Sequence, residues 1–577
     1  MVPPENIFMK RAKCLLLLTL FCVYAHPANY LFKDGKTDYA IVVQSGASVS
    51  ERTAAQELRE IIKSMSACSM TVTEVPANKN IFIGWTEATG VSKPAADDER
   101  YTYKTIGDNL YIFGGRNRGT MYGVYSFLER EMGVHWYTSS YTKIPKRRQF
   151  LIGNLEHTES PAIRYRLDFF YDALHHQEWL AHNCLNSQNV FSDSKYGQMS
   201  SYWKMHTFNV LIPPATYFEG HPDYFSLYKG RRVDNAQLCL SNKDMRKELV
   251  KNLKRVIERN PGYWCYDVSQ NDNEMPCECK DCQRLVKKYG GQSGAMIWFV
   301  NQIASEIKLV YPDKYIGTFA YRYTRQAPKS RIVPADNVVV RLCNIECCMA
   351  HPLEQCEQNR SFVKDMNDWQ KITGNIYVWN YTTGFHNYLL PFPNFKAMAS
   401  NYRFFGLSNV IGLLEEGAYD APWSEFSELK QWLIAKLMWN PAQEVDSLSA
   451  MFINDYYGRA SSYVKQFYDL CLRQITPETH FTIKLDWKSA IYTDKFIEEA
   501  MALMEKALAA LDNHSEEYNR TRRIAAQVYY LNVCRNRAKS RVDGTRWKLK
   551  EIIAADSTIV VERGRTLENQ LRILGHD

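Results

Sequence analysis

A polar and acidic segment follows a run of aromatic and β-branched residues near the middle of the chain. Residues 263–268, with the sequence YWCYDV, are typical of a buried strand. The segment that follows, SQNDNE at 269–274, contains Asn271 and Asp272. Enzymes of the α/β class place catalytic groups in the loops that follow buried strands. We therefore expect an active site at this strand end, with Asp272 as a catalytic acid.

Acids, amides and aromatic residues also end other predicted strands. Glu415 follows the apolar run 409–414, and Glu346 follows the run 338–345. This combination suits glycoside hydrolysis, in which one acid protonates the leaving oxygen and a second group stabilises or attacks the anomeric carbon. Each of the three acids could instead be a turn residue or a solvated charge. The expected substrate-binding residues are Arg166, His206, Asn271, Tyr321, Trp379, Tyr381 and Glu416.

The elements that position these residues predict a (β/α)8-type barrel over residues 160–424. Seven runs have the composition of strands and alternate with helical stretches, at 163–170, 206–212, 263–268, 315–321, 338–345, 375–379 and 409–414. One strand of an eight-stranded barrel is then missed or irregular. An open, doubly wound sheet is the alternative.

Two further domains flank the predicted barrel, so the fold class is α/β with three parts. Residues 28–150 contain short strands and a helix that begins at a capping box formed by Ser48 and Glu51, which predicts a small α/β domain. From 425 to 577 apolar residues recur at helical spacing, which predicts a helical domain. We expect this last part to support the barrel without taking part in chemistry.

Composition and the N-terminus limit the class of protein. The chain has 577 residues, 45% of them hydrophobic, and its net charge of +8 is spread along the sequence, so nothing indicates nucleic-acid binding. Residues 1–25 combine Lys and Arg with a short apolar run, which predicts a secretory signal peptide and export to the periplasm or the cell surface. No later segment approaches the ~20 apolar residues of a membrane-spanning helix.

The cysteines suggest a metal site. The chain has 15 cysteines, and removal of the signal peptide with Cys14 and Cys22 leaves 13. Because 13 is odd, at least one thiol is unpaired or binds metal. Cys277, Cys279 and Cys282 have metal-like spacing, and a fourth ligand would complete a structural zinc site. The candidates for that ligand are Cys265, Cys343, Cys347 and Cys348. A disulfide with free thiols, or simply buried cysteines, are the alternatives.

Several long strings resemble the domain of unknown function 4838, part of which is classed as glycoside hydrolase family 163. They are SQNDNEMPCECKDC, RLCNIECCMAHPLEQC, YVWNYTTGFHNYLLPFPN and GLLEEGAYDAPWSEFSELKQWLIAKLMWNP, and the similarity spans roughly residues 160–445. The stretch GGRNRGTMYGVYSFLEREMGVHWY resembles the α/β domain that precedes the barrel in hexosaminidases and α-glucuronidases.

This resemblance implies an endo-β-N-acetylglucosaminidase of a gut-type Bacteroidetes, which releases complex N-glycans from glycoproteins without a cofactor. In such enzymes the substrate's own acetamido oxygen can attack the anomeric carbon. The resemblance carries over Asp272 and Glu415, with Glu346 in reserve, and does not decide which is the proton donor. Members of the domain differ at the position of Glu416.

Two other functions are compatible with the sequence. An exo-acting hexosaminidase or α-glucuronidase-like enzyme would have a closed pocket with a basic residue such as Arg166 at its floor, whereas endo action needs a crevice open at both ends. A non-catalytic glycan-binding protein would use the same aromatic cleft. The sequence gives no indication of the oligomeric state.

Overall fold

The computed structural model of the chain describes residues 29–187, 194–197, 201–556 and 559–574. The predicted signal peptide at 1–25 therefore lies outside the described residues. Within the described ranges, no helix combines the length and apolar character that crossing a membrane requires.

The N-terminal part is an α/β unit with a six-stranded mixed sheet. The sheet has the order β10-β5-β6-β4-β2-β3, while β1 pairs with β9 and β7 pairs with β8. Helix α1 begins at the capping box that the sequence predicts, because the Ser48 hydroxyl accepts a hydrogen bond from the Glu51 backbone N–H and the Glu51 carboxylate accepts one from the Ser48 N–H. The elements are β1 (Tyr30–Lys33), β2 (Tyr39–Val43), α1 (Val49–Ser66), β3 (Thr71–Thr73), β4 (Lys79–Ile83), β5 (Tyr101–Ile106), β6 (Asn109–Gly114), α2 (Gly119–Arg130), β7 (His135–Thr138), β8 (Tyr141–Lys143), β9 (Gln149–Leu151) and β10 (Glu156–Glu159).

The middle of the chain forms a curled, seven-stranded parallel sheet with the order β11-β19-β18-β17-β16-β15-β12. From β12 to β19 each strand of this sheet is the neighbour of the next, and the last strand, β19, pairs with the first, β11, as in a (β/α) barrel. The elements of this region are β11 (Tyr165–Phe169), α3 (Tyr171–His175), α4 (Gln177–His182), β12 (Tyr202–Trp203), α5 (Phe208–Leu211), α6 (Pro214–Tyr217), β13 (Leu227–Tyr228), β14 (Arg231–Arg232), α7 (Lys243–Arg259), β15 (Cys265–Asp267), α8 (Lys280–Lys288), α9 (Gln292–Lys308), β16 (Tyr315–Ala320), β17 (Val338–Cys343), α10 (Arg360–Gln370), β18 (Ile376–Tyr381), α11 (Phe395–Leu407) and β19 (Gly412–Glu416).

The barrel is incomplete between its first two strands. β11 and β12 are the two edges of the sheet, so the described residues show seven parallel strands where the sequence analysis expects eight. One predicted strand, 206–212, is wrong, because Phe208–Leu211 is a short helix and the strand is Tyr202–Trp203. An apolar run this short does not distinguish a strand from a buried helical turn.

The floor of the barrel is filled by aromatic rings around one buried cation. The Arg341 guanidinium lies 3.5 Å from the ring centroid of Tyr202 and 4.7 Å from that of Tyr377. Beside it, Asp267 accepts a hydrogen bond from the Tyr202 hydroxyl at 3.1 Å. The next inward residues along the strands are Phe319 and Trp379, whose rings are 5.8 Å apart. The following inward residues therefore lie at the mouth of the barrel.

The C-terminal part is helical, with one small hairpin. Its elements are α12 (Ser427–Trp439), α13 (Val445–Tyr457), α14 (Ser461–Leu472), α15 (Asp494–Ala509), α16 (Glu516–Arg535), α17 (Arg537–Val542), α18 (Thr545–Ala555), β20 (Val560–Glu562), β21 (Arg565–Thr566) and α19 (Leu567–Ile573). The hairpin of β20 and β21 contacts the barrel, since the Tyr388 N–H donates to the Val561 carbonyl at 2.7 Å.

Candidate active site

Two adjacent glutamates at the end of β19 lie on opposite faces of the sheet, because side chains alternate along a strand. A Cβ at Gly412 would meet the Tyr377 ring inside the barrel, so positions 412, 414 and 416 face inward. Glu416 points into the barrel, where its Oε2 accepts a hydrogen bond of 2.7 Å from the Trp379 indole N–H. Glu415 points outward and is fully buried.

Burial raises the pKa of Glu416 to about 7, against the lowering effects of the Trp379 hydrogen bond and of Arg563. The nearby Asp272 carboxylate raises this pKa further. Below pH 7 the side chain of Glu416 is therefore predominantly protonated. A carboxylic acid held neutral near physiological pH at a barrel mouth is suited to donating a proton.

Asp272 lies in the loop after β15 and accepts a hydrogen bond from the Tyr321 hydroxyl at 3.2 Å. Its side chain is 57% exposed and has the Arg322 guanidinium at 3.6 Å. β15 and β19 are separated by three strands in the sheet, so the loop of Asp272 faces Glu416 across the barrel. The second carboxyl group is thus solvent-exposed, whereas Glu416 is largely buried.

The inner wall between Asp272 and Glu416 consists of aromatic rings, those of Tyr321, Trp379, Tyr381 and His206. The Trp379 and Tyr381 rings are 6.4 Å apart, and the His206 ring lies 5.9 Å from Tyr321. His206 Nδ1 is 2.7 Å from the Gln270 carbonyl, which fixes the ring. Flat aromatic surfaces beside two acids are suited to stacking on the C–H faces of a sugar ring.

Glu415, expected as a catalytic acid, lies outside this site. Its Oε2 accepts a hydrogen bond from the Asn380 side chain at 2.8 Å, and Tyr402 of α11 lies beside it. Burial raises the pKa of Glu415 well above its ordinary value, and burial does the same to the pKa of Asp168, its partner in register on β11. Both acids are neutral residues between the sheet and its helices, so the catalytic expectation for Glu415 is replaced by a structural role.

Arg166 also faces outward and does not form the floor of a pocket. Its guanidinium is fully buried and pairs with Glu99 of the N-terminal unit at 2.7 Å. Although burial opposes ionisation, Arg166 and Arg118 hold the pKa of Glu99 below its ordinary value. The expected substrate contact is therefore an ion pair that joins the N-terminal unit to the barrel.

Asn271 supports the loop of Asp272 and is not free to bind substrate. Its side-chain amide donates to Asn209 Oδ1 and to the Ala236 carbonyl, and its oxygen accepts from the Asn209 N–H. Gln237 accepts a hydrogen bond from the Asn271 N–H at 2.8 Å. The amides that precede Asp272 thus hold the backbone from which that acid projects.

Glu346 lines a wide cleft that adjoins the loop of Asp272. The cleft has a volume of about 1380 Å³, and its wall includes Glu274, Arg322, Glu346 and the segment 482–484. Glu346 is 45% exposed and pairs with Arg325 at 3.2 Å. Arg322 contacts both the cleft and Asp272, so the cleft adjoins the site. Glu346 thus lies in the wall of the cleft, with Arg325 as its ion-pair partner.

Arg563, which the sequence analysis did not identify, approaches the site from the C-terminal hairpin. This exposed residue lies in the turn between β20 and β21, with its guanidinium 5.9 Å from the Tyr419 ring, and it lowers the pKa of Glu416. No motif marks it, because the contact depends on how the last residues of the chain fold over the barrel.

Two groups of side chains among the described residues bring four soft ligand atoms together. One consists of Cys239, Cys277, Cys279 and Cys282, and the other of Cys348, His351, Cys356 and His480. The first contains the triplet with metal-like spacing, but the fourth cysteine is Cys239 and none of the four candidates named from the sequence. Its position in the loop after β14 could not be read from spacing.

Comparison with known proteins gives one family and a fold. The sequence profile of the domain of unknown function DUF4838 matches residues 136–469, which is more than half of the chain. No curated protein matches at the sequence level. Among solved structures, a family GH115 4-O-methyl-α-glucuronidase with specificity for decorated arabinogalactans aligns with a TM-score of 0.60 at 13% identity, covering 93% of this chain and 77% of the other. CpGH84D aligns with a TM-score of 0.50 at 10% identity, covering 95% and 97%.

Proposed function

We propose that this chain, which belongs to the family of the domain of unknown function DUF4838, is a glycoside hydrolase with Glu416 as its proton donor. The observation that carries the proposal is a pair of carboxyl groups with different surroundings at the mouth of one barrel. Glu416 is buried with a pKa of about 7, and Asp272 is exposed beside Arg322. Two acids with environments this different can divide the acid and anionic roles of glycosidic cleavage.

The mechanism that we propose is substrate-assisted. Glu416 donates its proton to the glycosidic oxygen as the bond from that oxygen to the anomeric carbon breaks. The acetamido oxygen of the same sugar bonds to the anomeric carbon, and Asp272 accepts a hydrogen bond from the acetamido N–H. Water then attacks the anomeric carbon as the bond from that carbon to the acetamido oxygen breaks, and the proton of this water passes to the Glu416 carboxylate, which restores the enzyme.

The substrate that we propose is an internal N-acetylglucosamine linkage of a complex N-glycan. The resemblance of the motifs around Asp272 and Glu416 to glycoside hydrolase family 163 supports this choice. The cleft of about 1380 Å³ beside Asp272 supports it further, because an endo-acting enzyme must accommodate sugars on both sides of the cleaved bond. Arg166, which would have closed an exo-type pocket, is buried in the interface with the N-terminal unit.

A second candidate is an exo-acting enzyme that recognises a uronic acid. Arg563 presents an exposed cation near Glu416, and a guanidinium pairs well with a sugar carboxylate. The fold similarity to an α-glucuronidase is compatible with this alternative but does not argue for its substrate.

Purified protein should be incubated with a glycoprotein that carries complex N-glycans and, separately, with glucuronic-acid-decorated oligosaccharides. Mass spectrometry is expected to detect released glycans that retain one N-acetylglucosamine at the reducing end. Release of glucuronic acid alone would favour the second candidate. If neither substrate is cleaved and a panel of aryl glycosides is also inert, the proposal of a glycoside hydrolase fails.

The pH dependence should report the protonation of Glu416. We expect kcat to fall as the pH rises through about 7, because the proton donor then loses its proton. In Arg563→Ala a cation that lowers this pKa is removed, so the alkaline limb should move to higher pH. Arg565→Ala is the matched control, since Arg565 pairs with Glu562 at 2.9 Å in the same hairpin. An alkaline limb that moves equally in both variants, or in neither, would contradict the assignment of this limb to Glu416.

A further inference from the structure

We propose that Cys348, His351, Cys356 and His480 bind a structural zinc ion that joins two walls of the cleft. Their ligand atoms all lie within 4.8 Å of one another. Two thiolates and two imidazoles are a frequent ligand set of structural zinc in proteins. The proposal concerns a separate site from the two carboxyl groups and holds whatever glycan the protein cleaves.

The distances in this group fit one tetrahedral ion. Bonds of about 2.3 Å to sulfur and about 2.0 Å to nitrogen would place each sulfur about 3.5 Å from each nitrogen. Cys348 Sγ lies 3.3 Å from His480 Nδ1 and 3.9 Å from His351 Nδ1, and Cys356 Sγ lies 3.8 Å from His480 Nδ1. These three separations are within a few tenths of an ångström of that value, so one ion can be placed among the four ligand atoms, which all lie within 4.8 Å of one another.

The tautomer of His351 fits metal binding as well. Its Nε2 is 2.9 Å from the Thr476 carbonyl, which can only accept, so the ring proton is on Nε2. In this tautomer of the neutral ring, Nδ1 has the lone pair that a metal needs, and it lies 3.9 Å from Cys348 Sγ. Histidine ligands of metals are commonly fixed in this way by a hydrogen bond from the other ring nitrogen to a carbonyl.

The site connects segments that are distant in the sequence. Cys348, His351 and Cys356 follow β17, whereas His480 lies between α14 and α15. The same two segments line the cleft, with Ile345 and Glu346 on one side and residues 482–484 on the other. Next to the ligands, the Met349 N–H donates to the Phe481 carbonyl at 2.8 Å. Zinc would therefore fix the width of the cleft.

A different set of observations supports a second structural zinc at Cys239, Cys277, Cys279 and Cys282. Four sulfurs around one zinc lie about 3.8 Å apart, and Cys239 Sγ is 3.7 Å from Cys279 Sγ and 3.8 Å from Cys282 Sγ. Backbone N–H groups of Leu227 and Cys282 donate to two of the sulfurs. Such hydrogen bonds offset the negative charge of metal-bound thiolates.

Disulfides are the competing explanation, and the geometry is against them. All thirteen cysteines of the described residues have free thiols. A disulfide needs its sulfurs about 2.05 Å apart, far less than the sulfur separations in the four-cysteine group. In that group Cys239 Sγ has two sulfur neighbours, Cys279 Sγ and Cys282 Sγ, and not one partner.

The test is the metal content of the full mature chain, expressed with added zinc and purified without chelator. Elemental analysis is expected to find two zinc ions per chain. Cys348→Ser with Cys356→Ser should lose one, and Cys277→Ser with Cys282→Ser should lose the other. His480→Gln keeps the fold because His480 is exposed, and it should lose one zinc to a chelator that leaves wild type loaded. His514→Gln, an exposed histidine elsewhere, should retain both.

Three results would overturn the proposal for the Cys348 site. The first is a wild-type protein without zinc, or with a single zinc that the Cys277 and Cys282 variant loses, and the second is an unchanged zinc content in the Cys348 and Cys356 variant. The third is a disulfide between Cys348 and Cys356. Mass spectrometry would detect it if an alkylating reagent modifies these two cysteines only after the protein has been reduced. Circular dichroism of each variant separates loss of zinc from loss of fold. Cobalt substitution of His480→Gln and wild type provides a spectroscopic comparison that does not depend on activity.

Discussion

Glu416→Gln is expected to lower kcat by about three orders of magnitude on natural glycans, because the amide cannot protonate the leaving oxygen. The substitution keeps the size of the side chain and an oxygen that accepts the Trp379 indole hydrogen bond of 2.7 Å. Loss of activity in a folded protein would therefore report the missing proton. The measurement is the rate of glycan release under saturating substrate.

Glu415→Gln is the matched control, since it makes the same chemical change one residue earlier. Burial keeps Glu415 neutral, so glutamine preserves both its shape and its charge state. We expect activity within a few-fold of wild type. If Glu415→Gln were inactive while Glu416→Gln remained active, the assignment of the inward acid as donor would be wrong.

The leaving group provides a second check on the role of Glu416. A dinitrophenyl leaving group departs without protonation, so Glu416→Gln should regain most of the lost rate on such a glycoside. A residue that merely shaped the site would show the same loss with both substrates. The difference between substrates therefore separates proton donation from positioning.

Asp272→Asn is expected to lower kcat by about two to three orders of magnitude. The amide retains a hydrogen-bond acceptor for the Tyr321 hydroxyl at 3.2 Å but removes the negative charge that orients the acetamido group. In the proposed mechanism the acetamido oxygen attacks the anomeric carbon and Asp272 only orients the acetamido group. A good leaving group replaces proton donation but not this orientation, so it should restore less activity in Asp272→Asn than in Glu416→Gln. Rates on both leaving groups measure this difference.

Glu274→Gln is the matched control for Asp272, because the two acids share a loop and a partner. Arg322 lies 3.6 Å from Asp272 and 3.7 Å from Glu274. Glu274 is 63% exposed and has no contact with Tyr321 among the hydrogen bonds of the described residues. We expect an effect on KM and little on kcat. Equal losses of kcat in both variants would mean that loop charge, and not Asp272 itself, supports the reaction.

The sequence predicts the strand ends of the barrel better than it predicts the faces of its residues. The runs that contain β15 to β19 were recognisable, and Asp272, Tyr321 and Trp379 meet at the predicted mouth. The sequence does not show which of Glu415 and Glu416 faces the inside of the barrel, because β19 includes both and a shift of one residue exchanges the inner and outer faces. The inward Gly412, packed on Tyr377, sets that register only in three dimensions.

Residues supplied by distant segments could not be predicted either. Cys239 and His480 lie outside any recognisable spacing with their cysteine partners, and Arg563 belongs to a hairpin near the end of the chain. Arg166 is predicted as a substrate-binding residue because an arginine after an apolar run resembles a substrate ligand. Its partner, Glu99, comes from the N-terminal unit, which sequence patterns within the barrel do not reveal.

The hairpin of β20 and β21 has a consequence for shortened chains. The barrel strands end at Glu416, yet Arg563 lies beyond helices α12 to α18. A chain that ends before the hairpin would contain Asp272, Trp379 and Glu416 but lack the guanidinium that lowers the pKa of Glu416. Its carboxyl groups would remain, and Glu416 would lose its proton at a higher pH.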